Sequence, residues 1–181
     1  MPFTLIDASK LGGSTLPALN GSALTNIDGG KVLQVVEGTH TSDTFTTSGT
    51  FSDIISLAIT PSATSSKVLA FASAQYNNYG NGSSNFPNGQ AQIIDHDGNV
   101  LTRAYGNASG NQTGDSTDQW DSSISLQVLD SPNSTSAQTY KLQHKCGSGR
   151  FGLLGASTRL NGTKLTLIEI GAWWQILIKW H

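Results

Sequence analysis

The stretch of residues 51–76 constrains the fold more than any other part of the chain. In its first half, Ile55, Leu57 and Ile59 alternate with small or polar residues, and this period of two is typical of a β-strand with one buried face. Pro61 has no N–H to donate to a neighbouring strand, so it ends this first strand. The small polar residues that follow are suited to a surface turn.

A second, longer strand is predicted to begin at Lys67. One of its faces is apolar throughout, with Val68, Ala70, Ala72, Ala74 and Tyr76. The other face changes along the strand, from Leu69 and Phe71 to Ser73 and Gln75. Because the strand starts apolar on both faces and ends half polar, we expect it to begin deep in a sandwich and to emerge toward solvent.

The composition favours strands and turns over helices. Gly, Ser, Thr and Asn are abundant, whereas Glu and Lys, which favour helices, are few. Further strands are predicted at residues 31–37, near Phe45, on both sides of the Asp97-Gly98 turn, and at 119–130, 137–146 and 163–170. About eight strands with long loops and no helical pattern predict an all-β fold, an antiparallel jelly-roll β-sandwich head.

The two ends of the chain differ from this head, which we place at residues 31–171. Residues 1–30 carry scattered leucines interrupted by glycine and proline, so they are predicted to be an extended arm that is either disordered or becomes ordered against other chains, and we expect the second. Residues 172–181 contain three of the four tryptophans, Trp173, Trp174 and Trp180. Such an apolar tail either continues a core strand or packs on another chain, and we expect these tryptophans at an interface between subunits.

The net charge, the apolar segments and the cysteine count disfavour several partners and environments. With a net charge of −2 and only 12% charged residues, the chain offers no basic face for nucleic acid. No apolar segment approaches the roughly 18–20 residues that span a bilayer, and the first residues lack the pattern of a signal peptide. A single cysteine excludes an internal disulfide framework.

The motifs that would carry chemistry are weak. Residues 147–152 fit G-x-G-x-x-G but no helical pattern follows them, so a glycine-bearing loop is the better interpretation. Asp95 and Asp97 offer clustered oxygen ligands, yet the closing glutamate of a calcium loop is missing and Asp-Gly is a hairpin signal. His144 shares a strand register with apolar residues and is expected in the core or an interface, and Cys146 is not expected to be a nucleophile. The sequence predicts no catalytic residue, no metal and no cofactor.

Aromatic residues in or beside the long polar loops are the candidate binding residues. These loops are rich in Asn, Gly and Ser, and aromatic planes with amide and hydroxyl neighbours suit sugar rings as well as protein surfaces. The alternative is that the rings only hold their own loops in place. The four candidate contacts are Tyr76, Tyr79, Phe86 and Trp120.

Several strings in this sequence also resemble a known family. GKVLQVVEGTHTSDTF, FSDIISLAITPSATSSKVLAFASAQY, VLDSP and NGTKLTLIEI resemble small virion proteins of tailed bacteriophages. These proteins are common among marine and cyanobacterial phages and are described as tail-fibre-like or structural. The resemblance covers about residues 30–171, and residues 16–27 resemble the shaft or attachment segments that precede such heads. Many relatives stop after the position of Ile170.

The resemblance implies a homotrimer with a TNF- or C1q-like jelly-roll head, docked on other virion proteins through residues 1–30. It transfers no catalytic residue. The expected function is a short tail fibre or spike head whose loops face the host surface and its saccharides. The alternatives are a capsid decoration (cement) or head-fibre protein and a free lectin-like module. A polysaccharide enzyme using Asp95 or Asp97 is a further alternative. The virion is the expected location, after synthesis in the host cytoplasm.

Overall fold

The computed structural model of the protein describes residues 31–79, 88–107, 119–147, 149–157 and 162–171. Within these ranges the regular secondary structure consists of strands and includes no helix. The described residues therefore contain no helix that could cross a membrane. The strands are β1 (Val32–His40), β2 (Thr44–Thr46), β3 (Ser52–Ile59), β4 (Lys67–Tyr79), β5 (Asn88–Ile94), β6 (Val100–Asn107), β7 (Gln119–Asp130), β8 (Gln138–Cys146), β9 (Arg150–Leu153) and β10 (Thr163–Ile170).

The strands form two antiparallel sheets. The larger sheet contains β1, β10, β4 and β7 in that order, with β9 pairing the second half of β4 and β2 pairing β9. The smaller sheet has the order β3-β8-β5-β6. The first and last long strands are neighbours, and the chain passes repeatedly between the sheets, as in a jelly roll. The predicted all-β jelly-roll sandwich is therefore confirmed.

The hydrophobic core lies between the two sheets and follows the predicted alternation. The inward residues of β4 are small, and Val68, Ala70 and Ala72 are at most 1% exposed. Large side chains from the other strands, among them Tyr140 and Leu142, complete the core. The apolar faces predicted for β4, β8 and β10 are thus the faces that the fold buries.

The prediction that β4 begins deep in the sandwich and emerges toward solvent is wrong. Its apolar start is open to solvent on the outer face, where Phe71 is 37% exposed, and its polar end is buried, with Asn77 and Asn78 at most 1% exposed. The polar end is covered because β7 and β9 flank it on both sides. Asn78 is accommodated there since its Nδ2 donates to the Gly106 carbonyl oxygen at 2.8 Å.

Strand β9 was predicted as part of a glycine-bearing connection. It is a four-residue strand whose Phe151 and Leu153 are fully buried. The Phe151 ring lies against two glycines, and a Cβ on Gly106 would be only 2.7 Å from its Cε2. Two apolar residues separated by one glycine are too few to reveal a period, whereas the short edge strand near Phe45 was predicted and is present as β2.

Candidate interaction surfaces

The described strands begin and finish at the same end of the sandwich. β1 starts at Val32, β10 finishes at Ile170, and the Gly171 N–H donates to the Lys31 carbonyl oxygen at 2.9 Å. We call this the terminal end. Residues 1–30 and 172–181 adjoin the head here and lie outside the described residues.

The long polar connections leave from the opposite end, which we call the loop end. Residues 80–87 follow β4 and residues 108–118 precede β7, and the last backbone pairs before them are Tyr79 with Gln119 and Asn88 with Asn107. At about 3.3 Å per residue, the full length of β4 separates the two ends by roughly 40 Å. The two ends of the head therefore differ: the first described strand starts and the last one finishes at the terminal end, and the strands that flank the long connections meet at the loop end.

Tyr76 is placed in the core and not on the surface. It is 7% exposed, and its ring centroid lies 5.3 Å from that of Phe151. Residue 76 shares the inward face of β4 with the alanines of the core, so its ring cannot stack on a ligand outside the sandwich. The sequence placed Tyr76 correctly on the apolar face of its strand, and this position corrects its assignment as a receptor contact.

The other predicted aromatic residues cannot be placed in the same way. The backbones of Tyr79 and Trp120 belong to β4 and β7 at the loop end, and Trp120 pairs with Asn78. Their side chains lie outside the described part of the chain, as do Phe86, Trp173, Trp174 and Trp180. Their proposed roles in receptor contact and in the trimer interface stay predictions.

An open recess of about 400 Å³ lies beside β7 at the loop end. Gln75 and Ser123 face each other across the β4–β7 pair, and the carboxylate of Asp121 accepts a hydrogen bond from Asn77 Nδ2. Amide, hydroxyl and carboxylate groups of this kind bind sugar hydroxyls. Sequence reasoning missed these residues, although the alternation of both strands already placed Gln75 and Ser123 on the outer face. The lining residues are Gln75, Asp121, Ser122, Ser123 and Leu154.

The predicted Asp-Gly hairpin turn is present between β5 and β6. Asp95 Oδ1 accepts from the N–H groups of Asp97 and Asn99 at 3.0 and 2.7 Å, and Gly98 adopts a φ of 85°. The carboxylate of Asp95 thus has donors within its own turn. Across the residues that the structure describes, no group of three His, Cys, Asp or Glu side chains could hold a metal ion.

His144 is a core residue, as its register predicted. It is fully buried, and neither ring nitrogen has a hydrogen-bond partner among the described residues. Burial lowers the pKa of His144 from 6.5 to about 4, and the nearby His40 acts in the same direction. The neutral imidazole packs in the core, with its ring centroid 6.1 Å from that of Phe151.

A buried carboxylate fastens the terminal end. Glu169 is fully buried and accepts hydrogen bonds from Gln34 Nε2 at 2.7 Å and from the Ser62 N–H at 2.6 Å. Burial alone would raise the pKa of Glu169, but these hydrogen bonds outweigh it and lower the pKa below 4.5. The bonds join β10 to β1 and to the turn after β3, so Glu169 has a structural role here.

The outer face of the larger sheet carries an apolar row across four strands. Val35 of β1 pairs with Ile168 of β10, Ile168 with Leu69 of β4, and Leu69 with Leu129 of β7. Val35 and Leu129, at the two edges, are 58% and 57% exposed. We call this row and its apolar neighbours on the same outer surface the apolar face. It comprises Val32, Leu33, Val35, Leu69, Phe71, Leu129, Ile168 and Ile170.

Polar residues bound the apolar face on its loop side. The next row holds Glu37, Thr166 and Gln127 beside Phe71. Glu37 forms a 2.8 Å ion pair with Lys164, and this contact lowers the pKa of the glutamate. Beyond them, Ser73 and Ser125 continue the outer surface as polar residues. An apolar patch with a polar border is typical of a surface that binds protein.

No family model matches the sequence. No curated protein matches it either. Among solved structures the chain is similar to VP2 of infectious bursal disease virus in T=1 particles, with 14% identity and a TM-score of 0.36 over 76% of this chain and 35% of that chain. A structure of the infectious bursal disease virus Gt strain gives 12% identity and a TM-score of 0.38 over 76% of this chain and 37% of that chain.

A third similar structure is the EclA C-terminal domain, described as a sugar-binding protein. It is 12% identical, with a TM-score of 0.29, over 94% of this chain and 99% of that domain. The chain spans about a third of the length of these two viral chains. At these TM-scores the fold assignment rests on the strand order itself.

Proposed function

We propose that this chain is a non-enzymatic structural protein of a bacteriophage virion, and that it forms the homotrimeric head of a short tail fibre or spike. Residues 1–30 dock on other virion proteins, and the loop end faces the host surface. The protein acts by assembly and binding. Apolar strand faces are buried between sister subunits, and the loop end stays available for binding.

The observation that carries the proposal is that the terminal end and the loop end of the head differ. The first and last described strands meet at the terminal end, while the connections between β4 and β5 and between β6 and β7 leave the loop end, roughly 40 Å away at 3.3 Å per residue. A receptor-binding head needs this arrangement, since the end that is attached cannot also reach the host.

The recess at the loop end supplies chemistry suited to a saccharide. Gln75 and Ser123 present an amide and a hydroxyl on the outer face, and Asp121 adds a carboxylate. We therefore extend the candidate contacts from the loop aromatics to this recess.

The test is binding of the purified full chain to polysaccharides. Surface plasmon resonance would be measured with lipopolysaccharides and capsular polysaccharides from marine bacteria and cyanobacteria. We expect binding to at least one of them, and weakening by about tenfold or more in a Gln75→Ala/Ser123→Ala variant. Ser56→Ala, at an exposed position of the smaller sheet, is the matched control. No binding, or binding that the double variant leaves unchanged, would contradict the host-facing role.

A capsid decoration protein is the second candidate, and the apolar face favours it. A wide, exposed apolar patch on one sheet suits a protein that clamps neighbouring capsid subunits. Phage particles that lack the protein would then burst at lower temperature or weaker osmotic shock while adsorbing to cells normally. The fibre head predicts the reverse, with intact particles and lost adsorption.

A further inference from the structure

Two cationic side chains meet at one aromatic ring on the outer face of the smaller sheet. Phe51 immediately precedes β3, and its ring centroid lies 4.9 Å from Arg103 Cζ and 4.7 Å from Lys145 Nζ. The negative face of an aromatic ring attracts cations placed over it. Because both distances are measured to the same ring, the two cationic groups are at most about 10 Å apart, where like charges repel each other.

The guanidinium of Arg103 is held in place without being neutralised. Its Nε and Nη2 groups donate to Gln92 Oε1 at 2.9 and 2.6 Å, and Gln92 Nε2 donates to Gln143 Oε1 at 2.7 Å. Gln143 Nε2 in turn donates to Asp53 Oδ1 at 2.6 Å. This row of hydrogen bonds crosses all four strands of the smaller sheet. A neutral amide therefore orients the guanidinium and leaves its charge uncompensated.

The second cation is also without a carboxylate partner. Of the residues that the structure describes, none forms an ion pair with Arg103 or Lys145, and the neighbouring Asp53 is bound to Lys141 at 2.7 Å instead. Arg103 is exposed and Lys145 is half-buried. Two uncompensated cations at the surface of a chain with a net charge of −2 attract anionic groups.

The groups beside the two cations suit a sugar. Gln90 pairs with Lys145 on β8 and with Tyr105 on β6, so these three residues lie in one outward row. Tyr105 is 60% exposed and offers a ring face on which a sugar ring can pack. Gln90 is 8% exposed, and its Oε1 has no hydrogen-bond partner within the described part of the chain. A ligand hydroxyl that enters between Lys145 and Tyr105 would satisfy this acceptor.

We call this set of side chains the basic patch, and it lies near the loop end. The Gln90–Tyr105 pair is two residues from the last pair of its sheet, Asn88 with Asn107. The recess that contains Gln75 is beside β7 in the larger sheet, so the two sites are formed by different residues. The basic patch comprises Phe51, Gln90, Arg103, Tyr105 and Lys145.

From these observations we propose that the basic patch binds an acidic polysaccharide. Its carboxylate or sulfate groups contact Arg103 and Lys145, and a sugar ring lies against Tyr105. A neutral glycan leaves both cations unmatched. Nucleic acid is the less suitable polyanion, because two cations match few of the phosphates that a nucleic-acid-binding surface neutralises. The inference goes beyond the proposed function, since it holds for a fibre head and for a capsid decoration protein alike.

Biolayer interferometry of the purified full chain tests the ligand class. The immobilised probes would be alginate, which is carboxylated, dextran sulfate, neutral dextran and duplex DNA. We expect binding to alginate or dextran sulfate, and the tighter of the two identifies the anionic group. This binding should weaken as ionic strength rises. Equal binding to neutral dextran, tighter binding to DNA, or no binding to either acidic polysaccharide would overturn the proposal.

Charge-matched variants test whether the basic patch is the site. Arg103→Gln/Lys145→Gln removes its two cations, whereas Lys67→Gln/Lys164→Gln removes two cations from β4 and β10 of the larger sheet. We expect the first variant to bind the acidic polysaccharide about tenfold more weakly or worse, and the second to bind as the wild type does. An equal loss in both variants would show that net charge alone drives binding and would overturn the assignment.

Two variants in β6 test the contact with the sugar ring. Tyr105 and Val100 are both exposed on this strand, and Val100 lies outside the basic patch. Tyr105→Ala should weaken binding severalfold and leave its dependence on ionic strength unchanged, because stacking involves no charge. Val100→Ala should bind as the wild type does. Wild-type affinity in Tyr105→Ala would overturn the sugar-ring contact. Circular dichroism would verify that all variants are folded.

The two sets of variants separate this inference from the proposed function. If Gln75→Ala/Ser123→Ala loses polysaccharide binding and Arg103→Gln/Lys145→Gln keeps it, the inference fails and the recess stands as the binding site. If the losses are reversed, the basic patch stands and the recess fails. Loss in both variants supports two sites on one head.

Discussion

Acidification should destabilise the head chiefly through one fully buried imidazole. His144 is fully buried, and its pKa of about 4 lies below the ordinary value of 6.5 because burial disfavours the charged form. The unfolded chain therefore binds a proton at higher pH than the folded chain does. The stabilising contribution is complete above pH 6.5 and is lost as the pH falls from 6.5 toward 4.

The magnitude follows from the difference between the two pKa values. At 1.36 kcal/mol per pH unit, the full loss is about 3 kcal/mol, and about 2 kcal/mol of it occurs between pH 7 and pH 5. Hydrogen bonds from Gln143 and Lys141 lower the pKa of Asp53. Carboxylates of this kind lose their contribution to stability only at lower pH. The interval from pH 7 to pH 5 therefore isolates the histidines, and there His40, whose pKa burial also lowers, adds its contribution to that of His144.

Urea unfolding at fixed protein concentration measures this effect. The free energy of unfolding would be determined at half-unit steps from pH 7 to pH 5 for the wild type, His144→Phe and His96→Gln. We expect His144→Phe to lose about 2 kcal/mol of the change between pH 7 and pH 5, with only the contribution of His40 remaining, whose pKa burial also lowers. His96→Gln should keep the wild-type slope, because His96 is exposed. A His144→Phe variant that keeps the wild-type slope would refute the reasoning.

Two further predictions concern the packing of the head. Glu169→Ala should lower the free energy of unfolding by about 3 kcal/mol, because Gln34 and Ser62 lose their buried acceptor. Chemical denaturation measures the loss, and a change below about 1 kcal/mol would show that water replaces the carboxylate. Gly106→Ala should cost about 1–3 kcal/mol, because its Cβ would lie 2.7 Å from Phe151 Cε2. Gly49→Ala is the matched control, since a Cβ there meets no atom within 4 Å. Equal melting temperatures for the two alanine variants would contradict the close approach.

Much of the fold was predictable because period-two alternation is a local signal. The strand at 163–170, the strand at 119–130 and the Asp97-Gly98 turn lie where their residues predicted them. Each is defined by side chains within one strand or turn, and a strand with one buried face must alternate whichever strands pair with it. The inward positions of Tyr140, Leu142 and His144 follow for the same reason.

The candidate surfaces were only partly predictable because they depend on pairing. The row from Val35 to Leu129 joins residues far apart in the chain, and it exists only because four strands align in one register. Nothing in β4 alone reveals that Leu69 and Phe71 lie on an open face while Asn77 is covered by its neighbours. The alternation of β4 already placed Tyr76 on the inward face, but β4 alone does not reveal that Phe151 from β9 packs against its ring.

By itself, then, the sequence determined the secondary structure, the inward faces of the strands and the jelly-roll class, because hydrophobic burial on alternate residues is specified strand by strand. Only the tertiary structure decided which outward faces remain apolar and exposed, which polar side chains are buried, and that the long connections leave opposite the terminal end. These properties arise from contacts between strands distant in sequence, and local periodicity does not encode the identity of a strand's neighbours.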